Sequence, residues 1–369
     1  MLACSTHPVE RTTRRASDVR PFLRMVAALL TLLLVACGPN GATPTPPAGL
    51  LPIDTRPTAH PVGPPPTVVA QGAALPGRLL FVKGGDLWLW QGESGHAITS
   101  SGDAFQPAWS PDGTRIAYIQ RGASYSDLMV MPAAGGAPTR LTSDGSSHPP
   151  HSYERIYDTT WAFYPTFSPD GGEIVFVSQY GPPAGSPAAD YHLALFAASV
   201  ESGGAKTQLY ADDSGHVGRP AYAPDGATIV FAYSPASSGA PQLYRYMVAS
   251  GATIPMPGAP QQSYDPAFSL DGRWLAFAAR DGGRTDVFVV PSDGGTPTRI
   301  TSLGTARAPA FSPDGTLLAF LAIAPGTNRF DLWVVSLQHS ADGALRPDQP
   351  RQITREMGID ADSGVAWGP

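Results

Sequence analysis

The sequence predicts an all-β fold, a six-bladed β-propeller of four-stranded antiparallel blades. One seven-residue motif, typified by Pro-Ala-Phe-Ser-Pro-Asp-Gly, recurs five times at spacings of 58, 55, 46 and 43 residues. Periods near 40–50 residues with several strands per unit are typical of propellers. The two ends of the repeated region also complement each other, as a closed ring requires. The composition permits such a domain, because 42% of the 369 residues are hydrophobic and only 15% are charged.

The motif itself predicts a strand followed by a tight turn. Its copies occupy 107–113, 165–171, 220–226, 266–272 and 309–315. Ser-Pro-Asp-Gly suits a type I turn, because Pro presets φ at the second position and Gly tolerates the fourth. The repeated Asp therefore serves the turn rather than catalysis, since a catalytic residue occurs once and a turn residue occurs in every blade.

Each repeat continues with three more strand-like runs. In the fifth copy of the motif they are Leu318-Ala319-Phe320, then Asp331 to Val335, then Arg351 to Thr354. Four runs per repeat make one antiparallel blade. The aromatic residues of the motif are expected to pack between neighbouring blades and to bury large apolar areas there.

The ends of the region predict how the ring closes. Arg78 to Val82 resembles a second strand and Asp86 to Trp90 a third strand, but no first strand precedes them. The last residues, Ala366 to Pro369, resemble a first strand and then stop. We therefore expect the C-terminal strand to join the first blade, giving six blades over residues 77–369 and removing open sheet edges.

The N-terminus has the features of a secretory signal. Five Arg residues precede the uncharged stretch Met25 to Ala36, which is shorter than a membrane-spanning helix and suits a signal-peptide core. The run Leu34-Val35-Ala36-Cys37 resembles the lipobox of bacterial lipoproteins, which implies that residues 1–36 are removed and Cys37 is lipidated. An ordinary signal peptide, or a short buried helix with an incidental Cys, are the alternatives.

Residues 37–76 are predicted to be a lipidated Cys followed by a Pro/Thr-rich tether. Eleven Pro residues lie between 38 and 76. Because Pro lacks an N–H and fixes φ, we expect neither helix nor sheet in this segment. The remaining Cys, Cys4, lies in the predicted signal peptide, so the propeller has no thiol for metal binding or nucleophilic catalysis.

The repeats resemble the TolB-type, WD40-like PD40 propeller family over essentially all of 77–369. Leu270 stands where the family has Pro. The resemblance implies a protein-binding propeller, since TolB is a soluble periplasmic protein that binds the lipoprotein Pal and colicins. This chain has its predicted stalk where TolB has an N-terminal α/β domain, so a direct TolB role is not expected.

Motifs of enzymes are missing from the sequence. The same repeats form the propeller of prolyl-oligopeptidase-type peptidases, but no Gly-x-Ser-x-Gly occurs, nor His-Glu-x-x-His, Cys-x-x-Cys or a phosphate-binding loop. We therefore expect no enzyme, no cofactor and no bound metal. A formal net charge of −6 also argues against nucleic acid as a partner, because binding it needs basic surface.

A first candidate site is the channel mouth, where the loops before each first strand converge. Polar groups converging over an apolar wall are typical of ligand sites, although a solvated rim is the plainer interpretation. The candidate residues are Asp103, Phe105, Tyr164, His216, Arg219, Tyr264, Asp265, Arg307, Asp360 and Asp362.

A second candidate site is the long connection 148–164, which holds five aromatic residues and two His. A protein-recognition surface is one interpretation; a packed loop that caps the ring, or a metal site, are the others. The candidate partner-face residues are His148, His151, Tyr153, Glu154, Tyr157 and Trp161.

Together these features predict a lipid-anchored propeller of the bacterial cell envelope, on the extracytoplasmic side of a membrane. Its expected function is that of a non-enzymatic scaffold for a protein or peptide partner. A small-molecule or glycan receptor that uses the channel mouth is the alternative, and an enzyme with residues on the mouth loops is a third. The lipid anchor is the one expected membrane contact, and a closed ring favours a monomer.

Overall fold

The computed structural model describes residues 67–69, 74–149, 151–180, 192–201, 205–339 and 345–369. These residues form a six-bladed β-propeller of antiparallel sheets, as predicted, with almost no helix. The predicted signal peptide, Cys37 and most of the predicted tether lie outside the described residues. Within the described part, no helix has the length and hydrophobicity needed to cross a membrane.

The first three blades contain the following elements. Blade one comprises β1 (Thr67–Val69), β2 (Leu75–Lys83), β3 (Asp86–Gly92), β4 (Ser94–Ala97) and the C-terminal β26 (Ala366–Gly368). Blade two comprises β5 (Ala104–Trp109), β6 (Arg115–Arg121), β7 (Ser126–Pro132) and β8 (Thr139–Arg140). The short helix α1 (Arg155–Asp158) leads to blade three, which comprises β9 (Ala162–Phe167), β10 (Glu173–Tyr180), β11 (His192–Ser199) and β12 (Lys206–Tyr210).

The remaining blades repeat the pattern. Blade four comprises β13 (Gly215–Tyr222), β14 (Thr228–Pro235), β15 (Gln242–Met247) and β16 (Thr253–Pro255). Blade five comprises β17 (Ser263–Phe268), β18 (Trp274–Asp281), β19 (Arg284–Pro291) and β20 (Thr298–Arg299). Blade six comprises β21 (Arg307–Phe311), β22 (Leu317–Ile323) and β23 (Phe330–His339), with β24 (Leu345–Pro347) and β25 (Arg351–Gln352) both paired to β23.

The predicted closure of the ring is confirmed. Strand β26 pairs antiparallel with β2, with Trp367 opposite Leu79, and takes the innermost position of blade one. The side chain of Arg78 donates to the carbonyl oxygen of Pro369 at 2.7 Å, and the Trp367 indole donates to that of Pro76 at 2.7 Å. Backbone pairing and side-chain hydrogen bonds therefore hold the C-terminal strand in blade one.

The repeated turn has the predicted geometry. In blade two, the N–H of Gly113 donates to the carbonyl oxygen of Ser110 at 2.9 Å, and Gly113 has φ +68°. The Ser110 hydroxyl donates to Asp112 at 2.6 Å and accepts from the N–H of Arg115 at 2.9 Å. Because the Ser110 and Thr114 hydrogen bonds stabilise its charged form, Asp112 has a pKa lowered to about 2.

The core is divided into six apolar clusters, one between each pair of neighbouring blades. The aromatic residue that ends each innermost strand packs against the preceding blade, as predicted. These residues are Trp109, Phe167, Tyr222, Phe268, Phe311 and Trp367. Fully buried Phe residues of the second strands also occupy these clusters, for example Phe277.

The expectation of no sheet within 37–76 is wrong for five residues: Thr67–Val69 form β1, and Leu75 and Pro76 begin β2. Strand β1 lies inside the predicted tether and pairs with β4, with Thr67 opposite His96 and Val69 opposite Ser94. No Pro lies between Pro66 and Pro76, and the three residues after Pro66 are β-branched, which favours a strand. Blade one thus gains an outer fifth strand.

Four blades share a hydrogen-bonded clasp between their third and fourth strands. In blade five, the Thr301 hydroxyl donates to Asp286 at 2.8 Å and accepts from the N–H of Val287 at 3.0 Å, while the N–H of Gly304 donates to Asp286 at 3.0 Å. The equivalent pairs are Asp86 with Thr99, Asp127 with Thr142 and Asp331 with Thr354. The clasp fixes the chain as it passes to the next blade.

Candidate functional site

The central channel has two different ends. The Ser-Pro-Asp-Gly turns lie at the end that we call the turn face. The connections between blades, and those between second and third strands, lie at the other end, the loop face. This arrangement follows from antiparallel order, because each innermost strand runs from the loop face to the turn face.

A repeated β-bulge shapes the channel near the loop face. In blade two, Gln106 and Pro107 lie opposite the single residue Tyr118, and the register shifts there. The first residue of the bulge has left-handed backbone angles in four blades. These residues are Gln106 (φ +54°), Tyr164 (φ +51°), Asp265 (φ +53°) and Ala308 (φ +52°). Bulges re-aim side chains, and all four residues line the channel cavity.

Charged side chains from three blades meet at this level. Asp265 is 5% exposed and accepts from Arg307 Nε at 3.0 Å; Arg219 Nε lies 3.3 Å from its other oxygen. Arg307 also donates to Asp362 at 2.7 Å. Burial alone would lower the pKa of Arg307, but Asp265 and Asp362 more than offset it, so the pKa is raised and the side chain stays charged.

Arg219 crosses the channel. It belongs to blade four, yet its terminal nitrogens donate to the carbonyl oxygens of Asp362 at 2.6 Å and Ser363 at 3.3 Å. Those carbonyls precede β26 in blade one, directly opposite in the ring. The guanidinium also lies 4.7 Å from the centre of the Tyr164 ring. The polar network therefore spans the channel axis at the loop face.

A cavity of about 530 Å³ lies along the axis, between this network and the turn face. Its inner end is formed by side chains that are almost fully buried, among them Gln106 at 3% and Asp265 at 5% exposure. Its outer rim includes Leu270, which is 60% exposed, and the Pro residues of the turns. The cavity therefore opens at the turn face.

The channel-mouth residues predicted from sequence do not form one site. Tyr164, Arg219 and Asp265 line the cavity, and Arg307 and Asp362 complete the charged network. The Tyr264 ring lies under the Arg307 guanidinium at 5.3 Å. The others serve local contacts on the loop face.

Three of these residues make local contacts away from the charged network. Asp103 accepts from Gln120 at 3.0 Å, and the Phe105 ring is covered by the Arg121 guanidinium at 3.7 Å. Asp360 accepts from the N–H of Asp362 at 3.0 Å in a local turn.

His216 lies on the loop face beside strand β11. The ring of His192, the first residue of β11, stacks on that of His216 with centroids 5.0 Å apart. The N–H of Leu193 donates to Nδ1 of His216 at 3.3 Å, so the neutral ring carries its proton on Nε2. Burial, and then His192, lower the pKa of His216.

The predicted partner-face loop is ordered around α1. Tyr153 and Tyr157 pack edge to face with ring centres 5.6 Å apart, and Tyr153 is 70% exposed. His148 Nε2 lies 3.7 Å from Asp158 Oδ2. Trp161 is half-buried and stacks on Phe163.

The two remaining candidate residues of this loop lie on the surface. His151 and Glu154 are exposed. Across the described residues, no group of three or more His, Cys, Asp or Glu side chains is arranged to hold a metal ion.

Sequence reasoning missed Gln106, although a signal for it exists. Gln106 stands directly before the repeated Pro, as do Tyr164, Arg219 and Asp265. Comparing that one position across the repeats would have found it.

Comparisons with known proteins agree with the fold. Residues 163–345 match the TolB beta propeller domain, PD40. The chain is similar to TolB from Acinetobacter baumannii, with 21% identity, a TM-score of 0.60, and coverage of 79% of this chain and 67% of that chain. It is also similar to a putative TolB from Agrobacterium tumefaciens, with 16% identity, a TM-score of 0.52, and coverage of 81% and 100%. These likenesses show the fold alone.

A sequence relative is the uncharacterized peptidase YuxL of Bacillus subtilis (strain 168). It is 31% identical over 103 residues, which make up 26% of this chain and 16% of the relative. The chain thus matches about one sixth of that protein. A peptidase among the relatives leaves enzymatic activity open, so the expectation of no enzyme stays a prediction.

Proposed function

We propose, from the premise that this chain carries a TolB-like PD40 propeller, that it is a non-enzymatic scaffold that binds a protein or peptide in the bacterial cell envelope. The partner would dock on the loop face, at the connection between blades two and three. Lipidation of Cys37 would hold the protein on the extracytoplasmic side of a membrane, with the remainder of 37–76 as its tether.

The observation that carries this proposal is an exposed apolar patch formed by Tyr153, Ile156 and Tyr157. Their exposures are 70%, 39% and 39%. Half of the large hydrophobic residues exposed among the described residues belong to this one short segment. Scattered exposed apolar residues are ordinary, but a cluster of them marks an interaction surface.

The patch is held in place before any partner arrives. Arg155 donates to the carbonyl oxygen of His148 at 2.7 Å and to the Ser124 hydroxyl at 3.2 Å. Ser146 donates to Asp158 at 2.7 Å. These bonds tie both ends of α1 to the surrounding loop. Rigid Tyr side chains bind partners at low entropic cost, and Tyr is enriched among residues that dominate binding energy.

In-cell photo-crosslinking tests the proposal with the full chain in its host. A photoreactive phenylalanine analogue replaces Tyr153 in one strain and Ile254 in the control strain. Ile254 is 43% exposed and lies on β16, away from the patch. We expect one protein to crosslink from position 153 and not from 254. The double variant Tyr153→Ala, Tyr157→Ala should weaken binding of that purified protein by roughly a hundredfold.

Two results would contradict the proposal. Equal crosslinking from both positions would mean nonspecific contact, and unchanged affinity in the double variant would place the interface elsewhere. The anchor is tested separately: Cys37→Ala should move the protein out of the membrane fraction and abolish a lipid-modified Cys37 peptide in mass spectra.

A further inference from the structure

The inner end of the cavity holds a hydrogen-bond donor that the protein does not use. Gln106 lines the cavity and is 3% exposed. Its side-chain oxygen accepts from the backbone N–H of Tyr164 at 2.8 Å. Because that N–H can only donate, the atom facing it must be the oxygen, which fixes the amide orientation. Its NH₂ group has no acceptor within the described part of the chain.

The position of this amide is built by the backbone. Gln106 is the first residue of the bulge in β5 and has φ +54°, a conformation that few non-glycine residues adopt. The hydrogen bond from Tyr164 joins blade two to blade three at the same point. The backbone conformation of Gln106 and the hydrogen bond from Tyr164 thus hold the NH₂ group at the inner end of the cavity.

The wall above the amide combines apolar side chains with polar groups. The aromatic residues that end the six innermost strands line the cavity, together with small residues such as Ala108 and Ala310. At the rim stand Leu270 and the Pro residues of the other turns. A volume of about 530 Å³ lies in the range of small-molecule sites, which are mostly apolar with a few placed polar groups.

The charges around the cavity disfavour an anion. At the inner end, the Arg219 charge is matched by Asp265. At the rim, an Asp residue directly follows each of five turn residues that line the cavity, and three Arg residues lie nearby. The Asp residues are Asp112, Asp170, Asp225, Asp271 and Asp314, and the Arg residues are Arg78, Arg115 and Arg273. An uncharged acceptor therefore suits the free amide better than a carboxylate.

We propose that this cavity binds a neutral, partly apolar small molecule whose carbonyl-type oxygen accepts a hydrogen bond from the Gln106 amide. The site opens at the turn face, so it is separate from the apolar patch on the loop face. The inference does not rest on the proposed scaffold function.

Prodan, a neutral naphthalene with one ketone oxygen, is a suitable probe because its emission moves to longer wavelength when the ketone accepts a hydrogen bond. We expect the full-length chain to bind Prodan saturably at one site. The informative variant is Gln106→Glu, which keeps an oxygen for the Tyr164 N–H but removes the amide donors. It should bind Prodan roughly tenfold more weakly, and the bound probe should emit at shorter wavelength.

The matched control is Gln208→Glu, since Gln208 is exposed on the outer strand β12 and the chemical change is identical. It should bind Prodan as the unmodified chain does. The emission of the bound probe is independent of the folded fraction, so it remains decisive if Gln106→Glu lowers stability. Absence of saturable binding, or the same affinity and emission in both variants, would overturn the proposal.

Discussion

Arg219 and Asp362 join opposite sides of the ring: a guanidinium nitrogen of Arg219 in blade four lies 2.6 Å from the carbonyl oxygen of Asp362 before β26 in blade one. Propeller rings are held chiefly by contacts between neighbouring blades. Here a side chain from the far side also holds the segment that leads into the closure strand. The polar network at the loop face thus supports the closure of the ring as well as forming the inner end of the cavity.

Replacing Arg219 should loosen the closure strand. Arg219→Ala removes the donors to Asp362 and Ser363 and leaves buried Asp265 with Arg307 as its remaining cation. We expect the free energy of unfolding to fall by about 2–3 kcal/mol. Hydrogen exchange should accelerate in β26 before the middle strands of the blades. In Arg273→Ala, which breaks a surface pair with Asp271, both measurements should stay close to the unmodified protein.

A side chain at Gly364 should displace Arg219, because the Arg219 guanidinium occupies the space. A Cβ at this position would lie 2.3 Å from a guanidinium nitrogen of Arg219, and Gly364 has φ +78°. Gly239 separates the two effects, since it has φ +62° but open space around it. We expect Gly239→Ala to cost about 1 kcal/mol through backbone strain alone. Gly364→Ala should cost clearly more in urea unfolding; equal losses would refute the role of Arg219.

The repeat explains which parts of this molecule can be predicted from sequence. Turn residues such as those of 110–113 act within a few positions of each other, and their pattern recurs in five of the six blades, so the fold and its closure could be predicted from local rules. The channel site depends on singular residues. Arg219 contacts carbonyls that lie more than 140 positions away, and no local pattern encodes that distance. Thr67–Val69 was missed because a Pro-rich composition masked a short β-branched run.

Phe277 should be one of the costliest single truncations. It is fully buried between blades four and five and stacks on Phe288 with ring centres 6.0 Å apart. Phe277→Ala leaves a cavity that neighbouring blades cannot fill without moving. We expect a loss of about 3–5 kcal/mol in the free energy of unfolding by calorimetry. The half-buried Phe330 on β23 is the control, and Phe330→Ala should cost less than half as much. Phe330 also packs against a cluster between blades, so similar losses would mean that the degree of burial within these clusters does not decide the cost.

The stacked pair of His192 and His216 should make stability depend on pH. Because burial and His192 lower the pKa of His216, the unfolded chain binds the proton more readily than the folded one. Stability is then greatest while His216 is neutral, and it falls as pH drops through the ordinary value of about 6.5. A proton on Nδ1 would also remove the acceptor of the Leu193 N–H. The urea midpoint, measured from pH 7.5 to 5, should therefore decline more steeply for the unmodified chain than for His216→Gln. The same slope in both chains would show that this pair does not sense pH.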